Sequence, residues 1–168
     1  MEKVSAFLIV FSLILGINAF PQSKDNSFIN DKLQPISQEN ILKTNGYYNW
    51  GSSIIKGEDG KYHLFYSRWK NECKFTGWLT HSEIAHAVSD SPAGPWKFKQ
   101  TALKSHGKGN WDAITAHNPK IKLFDGNYYL YYISTNLGEN DYTEAELIET
   151  AKTGYSHPNW KILRSNQR

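Results

Sequence analysis

Between residues 47 and 133, apolar and aromatic positions alternate with polar ones in short runs separated by turn residues, the period of strands with one covered face. Residues 52–56 (SSIIK) form a first run. Residues 57–60 (GEDG) close it with an Asp-Gly pair, the dipeptide that reaches the positive φ angles of a tight hairpin. Residues 61–67 (KYHLFYS) predict the returning strand. A longer loop leads to a third strand at 83–89 (EIAHAVS), a turn at 90–95 (DSPAGP) and a fourth, alternating strand at 96–99 (WKFK). The pattern then restarts: a strand at 119–123, a turn at Phe124-Asp125-Gly126, and a strand at 127–133.

The restart is a near copy. DGKYHLFY at 59–66 and DGNYYLYY at 125–132 begin 66 residues apart. Four antiparallel strands per unit, repeated with turn signals, are the pattern of a β-propeller blade. An up-and-down sandwich would show the same hairpins, but recurrence at a fixed spacing favours the propeller. The expected fold class is therefore all-β, with blade 1 over about 47–100 and an incomplete blade 2 over about 117–168, after a lead-in at 20–46. If Arg168 takes the place of Glu83, residues 134–167 form the loop after the second strand, 34 residues against the 15 of 68–82. A ring needs at least four blades, so the chain is expected to be the front of something longer and to be inactive by itself.

The first 19 residues lie outside this pattern. Met1-Glu2-Lys3 leads into an apolar run at 4–17, Asn18-Ala19 follows, and the chain turns polar after Pro21. A short basic start, an apolar stretch too short to span a bilayer and a small residue before the change predict a signal peptide cut after Ala19. Export, to the periplasm or the medium, is the expected location, with no membrane attachment after cleavage. Cys73 is the one cysteine and cannot staple its own chain. The net charge of +3 is spread among interspersed acids and bases, which excludes a dense nucleic-acid-binding surface. Six Trp and ten Tyr suit strands, and aromatics exposed in a cleft suit sugar rings; composition alone does not separate the two uses.

Blade geometry sorts the loops. The turns after strands 1 and 3 emerge at one end and are tight, so Asp59, Asp90 and Asp125 are expected to serve turns. The loop after strand 2 and the link between units emerge at the other end and are long, where function concentrates. The first carries Arg68, Trp69, Glu72, Trp78, Thr80 and His81; the second, GKGNWDAITAHN at 107–118, carries Trp111, Asp112, His117 and Asn118; Trp50 starts strand 1. Indole, guanidinium, carboxylate and imidazole at one mouth suit a polar ligand with flat apolar faces. His81, His86, His106 and His117 lack the close spacing of metal ligands, so no metal is expected, and His86 is expected to be a packed strand histidine.

SDSPAGPW at 89–96 after an IAHAV strand, with the repeated DG-x-Y-x-L-x-Y hairpins, resembles the five-bladed β-propeller glycoside hydrolases of family 43 and relatives such as family 117. The resemblance covers roughly residues 47–168. It implies cleavage of a plant or algal polysaccharide by a general base and a general acid, with a further Asp orienting the acid. It implies no cofactor beyond a structural calcium ion that a complete propeller can hold. The chain departs from the family pattern in three places. Trp50-Gly51-Ser52-Ser53 stands where the base Asp belongs, His117-Asn118-Pro119 where the auxiliary Asp belongs, and the acid Glu belongs to a third blade.

Two functions remain: a glycoside hydrolase, with Asp112 and His117 in proton transfer and Trp50, Arg68, Trp78, His81, Trp111 and Asn118 on the sugar, or a non-catalytic glycan-binding propeller with the same mouth. Two mouth-facing carboxylates roughly 5–10 Å apart would mark the hydrolase. A protein-docking propeller would need an exposed apolar patch that the sequence does not single out. Trp111 is expected to hold Asp112 against apolar surface and raise its pKa to that of a working acid or base. His117 leads into the innermost strand ahead of Pro119, whose ring restricts the backbone before it.

Overall fold

A computed structural model describes residues 32, 33 and 35–165 of the chain. The signal peptide expected over 1–19 and the lead-in up to residue 31 lie outside the described residues. The fold below belongs to the unit Ile36–Arg168.

Strands β1 (Tyr47–Lys56), β2 (Tyr62–Lys70), β3 (Glu83–Ser89) and β4 (Lys97–Leu103) form one sheet in chain order, each pair antiparallel. Strands β5 (His117–Phe124) and β6 (Asn127–Ile133) pair antiparallel in a second sheet. The order and sense are those of one blade and the first hairpin of another. Among the described residues these strands do not close a ring.

The two Asp-Gly turns differ in construction. Asp125 and Gly126 both take positive φ (48° and 76°) between the paired Phe124 and Asn127, as a two-residue hairpin requires. In the first hairpin only Gly60 does so (φ 78°). The chain there runs a wider loop, Gly60 N–H bonding to the Gly57 carbonyl at 3.1 Å and Gly57 N–H to that of Lys61 at 2.8 Å. Asp59 Oδ1 accepts from the Lys61 N–H at 3.1 Å, and Asp90 faces the Lys61 ammonium at 3.1 Å.

Two strands run beyond their sequence patterns. β1 begins at Tyr47, because Tyr47–Trp50 pair with Lys70–Ser67 ahead of a bulge at Gly51. β4 starts at Lys97 and continues to Leu103, so blade 1 ends beyond residue 100. The larger correction lies after β6. Where the sequence predicts a loop over 134–167, the described residues up to 165 carry α1 (Glu144–Thr153), a 3-10 turn at Gly154–Ser156 and α2 (Asn159–Ser165). Thr143 caps α1 through a reciprocal pair of bonds. Its hydroxyl accepts from Glu146 N–H at 3.2 Å, and its own N–H donates to Glu146 Oε2 at 2.7 Å.

The alternation of β2 sets the packing. Leu64 and Tyr66 meet Ala85 and Ala87 of β3 on one face, covered by Leu42 of the lead-in and by Trp96. From the other face Ser67 Oγ accepts from Asn118 N–H of β5 at 2.7 Å, while Ser53 Oγ of β1 accepts from Ile121 N–H at 3.1 Å. These serines supply acceptors that an inner strand's N–H groups would otherwise lack. A second cluster joins the long loops: Leu79, Ala113, Ile114 and Leu137 pack with Leu147 of α1 and Leu163 of α2. The helices thus brace the end of the sheets at which the long loops emerge.

Candidate active site at the long-loop end

The loop after β2 folds into two 3-10 turns, Asn71–Cys73 and Phe75–Leu79. These set an aromatic floor. Trp69 is buried, donates its indole N–H to the Lys74 carbonyl at 3.0 Å, and stacks on Tyr48 at 5.5 Å. Trp50 stands at the rim, 53% exposed, its ring edge-on to Phe75 at 5.8 Å. Cys73 lies buried beneath, its thiol pKa pushed up by burial.

His117 enters this floor rather than the solvent. Its ring sits 5.2 Å from that of Trp78 and 5.8 Å from that of Trp69, and Nδ1 is 2.8 Å from Ser82 Oγ. Burial lowers its pKa to about 4, because an imidazolium there would lose its hydration without gaining an anion. At neutral pH the ring is uncharged. Asn118 follows with positive φ (50°) at the bulge of β5, exposed and beside Gly51 of β1. The two stretches that depart from the family pattern therefore meet.

Asp112 corrects the expectation most directly. Its carboxylate is sealed, at 1% exposure, but Trp111 does not seal it: that indole is 48% exposed and lies 5.2 Å from the ring of Tyr132. The partners of Asp112 are His106 Nδ1 at 2.5 Å and the Tyr132 hydroxyl at 2.8 Å, both on Oδ2. Burial alone would raise the pKa, yet the two hydrogen bonds favour the anion more, and the carboxyl titrates below the usual range. Tyr132 is correspondingly pushed up to about 12, by burial and then by the adjacent anion.

Arg68 and His81 line a polar groove of about 290 Å³ with Trp69, Glu83, Lys104 and Glu144. Arg68 is committed to structure. Its Nε bonds Glu83 at 2.8 Å, its Nη2 bonds Thr101 at 2.9 Å, and its guanidinium lies over Tyr47 and Phe98. His81 bridges Thr80 Oγ1 at 2.7 Å and Glu144 of α1 at 3.1 Å. Burial holds its pKa below the ordinary histidine value although Glu144 pulls the other way.

The larger cavity, about 370 Å³, lies at the tight-turn end among Ile55, Phe65, Ile121 and Tyr128. In its wall Asp59 meets His63 Nε2 at 3.0 Å, and His63 Nδ1 meets His86 Nε2 at 2.9 Å. His86 stacks on Phe65, and burial lowers its pKa. The cavity is mostly apolar, and the chemistry gathers at the other end. Among the described residues no group of three or more His, Cys, Asp or Glu could hold a metal ion.

The structure brings Trp50 with Phe75, His117 with Trp78, and Arg68 with His81. It places Trp111 and Asp112 in a separate unit with His106 and Tyr132, the two residues that sequence reasoning did not join to the site. No periodicity links them: a histidine on a loop six residues before Asp112, and a tyrosine at the far end of a strand.

No protein-family model and no curated protein matches the chain. Solved structures of glycoside hydrolases of families 43 and 117 match it over about half its length. The GH43_1 enzyme from Xanthomonas citri, complexed with xylose, is 30% identical over 50% of this chain and 20% of its own, with a TM-score of 0.35. A family 117 enzyme of the marine bacterium Zobellia galactanivorans is 24% identical over 51% of this chain and 24% of its own, at 0.40. A thermostable family-43 enzyme is 21% identical over 61% and 31%, at 0.38. The chain spans about a fifth to a third of the length of these enzymes. Overlaps of this size leave the chemistry to the chain's own residues.

Proposed function

We propose that this exported chain serves the hydrolysis of glycosidic bonds in a plant or algal polysaccharide, by acid/base catalysis at the long-loop end of a five-bladed propeller. The observation that carries the reading is one contiguous unit: the exposed indole of Trp111, the Tyr132 ring beneath it, and the buried anion of Asp112 bonded to Tyr132 and His106. A sugar ring has apolar C–H faces and a hydroxyl rim, so it needs a flat aromatic surface beside a few fixed polar groups. Trp111 supplies such a surface next to a proton-transfer pair, and Trp50 a second at the same end. Trp78 and His117 support the floor, and His81 and Asn118 lie at the rim.

One observation favours the second reading, a glycan-binding module without turnover. Asp112 is too enclosed to touch a sugar, and His117 is neutral and walled in by tryptophans. The two readings separate in one experiment. The full chain is incubated with plant and algal polysaccharides, and both reducing-end release and retardation in polysaccharide-containing native gels are followed. Release supports hydrolysis; retardation without release supports binding alone; neither on any glycan, from a protein that carries this chain within a closed propeller, removes both.

A further inference from the structure

Asp112 is held in a way that a purely structural carboxylate does not need. Both of its hydrogen bonds go to Oδ2, while Oδ1 is buried without a partner among the described residues. A structural brace fills its lone pairs, because an unmet buried acceptor loses its hydration with nothing in return. The arrangement instead concentrates the anion on His106 Nδ1 and fixes the tautomer there. An ionised carboxylate only accepts, so Nδ1 carries the hydrogen, and the lone pair of the neutral ring lies on Nε2.

The rest of the unit keeps that ring in place and in reach. His106 has 59% of its side chain exposed while its partner is sealed, and Nε2 has no hydrogen-bond partner among the described residues. Asn110 ties the loop by donating to the His106 and Gly107 carbonyls at 3.0 and 3.2 Å. Tyr132 holds the carboxylate from β6, and Asn136 donates to the Trp111 carbonyl at 3.1 Å. A sealed anion, a fixed tautomer and an open nitrogen make a proton-transfer centre.

We propose that His106 is a catalytic residue of this end, its Nε2 accepting the proton of a water molecule as that water attacks an electrophilic carbon of the ligand, with Asp112 and Tyr132 as positioning residues. The identity of the carbon, the anomeric carbon of a sugar, rests on the hydrolase reading; the chemistry of the pair does not. In the step one O–H bond of water breaks and its hydrogen passes to Nε2, while the oxygen bonds the carbon. The bond from that carbon to the leaving oxygen breaks on the opposite face, that oxygen takes a hydrogen from solvent, and the imidazolium releases its own hydrogen to solvent. One water is consumed and His106 ends neutral. The Asp112 anion stabilises the imidazolium in between.

The pair can be tested without knowing the sugar, using 4-nitrophenyl acetate, an activated ester that a solvent-accessible neutral imidazole attacks, so its cleavage reports an open and reactive Nε2. The full chain should hydrolyse it faster than His106→Asn by at least about tenfold, a fraction of the ~10²–10⁴ that a positioned base contributes on its own substrate. Added imidazole should raise the rate of His106→Ala by more than it raises that of the ester without protein. Asp112→Asn should slow the reaction at an unchanged melting temperature, and Asp112→Glu, which restores the anion, should recover part of the rate. His63→Asn, at the opposite end, should leave the rate unchanged. Equal rates for the wild type and His106→Asn, or a loss that tracks a lowered melting temperature and resists imidazole, overturn the proposal. If the ester responds while no glycan is cleaved, the pair stands and the sugar reading falls.

Discussion

Gly51 and Asn118 meet where β1 and β5, the first strands of the two sheets, bulge. Both have positive φ, 41° and 50°, and a Cβ built on Gly51 would lie 2.5 Å from Asn118 Oδ1. Each bulge inserts an unpaired residue, turning the strand as bulges beside functional sites do. Gly51→Ala therefore meets two costs, a left-handed backbone that an L side chain resists and a collision with the facing amide. The expected loss is about 1–3 kcal/mol in urea unfolding. Adding Asn118→Gly should recover the part due to the collision, so a double-mutant cycle should show positive coupling. Strict additivity would mean that the two bulges do not touch.

The hairpins were legible because Asp-Gly and alternating aromatics are local signals, and β3 and β6 run as their patterns read. The bulge at Gly51 left a trace in a glycine within a strand. The helix α1 was also written in the chain: Thr143-Glu144-Ala145-Glu146 is a capping box, but the following LIETAKT is too polar to show a clear apolar period. The pair of His106 and Asp112 was not legible. Both sit on a loop, where separation along the sequence fixes no distance in space, and the third partner is a strand tyrosine twenty residues on.

Thr143 should reveal how far α1 supports the site. The helix contributes Leu147 to the loop core and Glu144 to His81. Thr143→Ala removes the acceptor for Glu146 N–H and should cost about 1 kcal/mol. Hydrogen exchange should quicken in α1 first, and the strands of the four-stranded sheet should keep their protection. Uniform loss of protection would show that the helices and sheet unfold as one unit.

Arg68 should behave as a stability residue. Its guanidinium is buried against Glu83 and Thr101 and lies over Tyr47 and Phe98. Arg68→Ala leaves Glu83 with the Thr101 hydroxyl at 3.1 Å and the longer contact to Lys104 at 3.6 Å but without its close cation, and a broken buried pair costs about 3–5 kcal/mol. Arg68→Lys should recover only part of this, since an ammonium cannot reproduce the planar fork or the stacking. Calorimetric melting checks both variants. If Arg68→Ala melts like wild type but loses glycan retardation, the residue serves the ligand after all.

His117 gives the fold a pH dependence whose direction follows from its surroundings. The ring has a pKa of about 4 in the folded chain against 6.5 when free, because burial penalises the charged form. Above pH 6.5 it is neutral in both states and the full stability is present. As the pH falls from 6.5 toward 4, the unfolded chain takes up a proton that the folded chain refuses, and stability drops. The loss from this residue approaches about 3 kcal/mol at the lower limit. His81 and His86 are lowered as well, both chiefly by burial, and add to the slope. Asp112 is lowered below the ordinary carboxylate range, so its contribution is kept through this window and lost only at lower pH. Urea unfolding of the wild type and His117→Gln at pH 7.5, 6.0 and 5.0 isolates the ring. The variant should be the weaker at pH 7.5, having lost the Ser82 bond and the packing between Trp69 and Trp78, and the gap should narrow steadily toward pH 5.0. A gap that stays constant over that range would mean that His117 takes up its proton as freely in the fold as out of it.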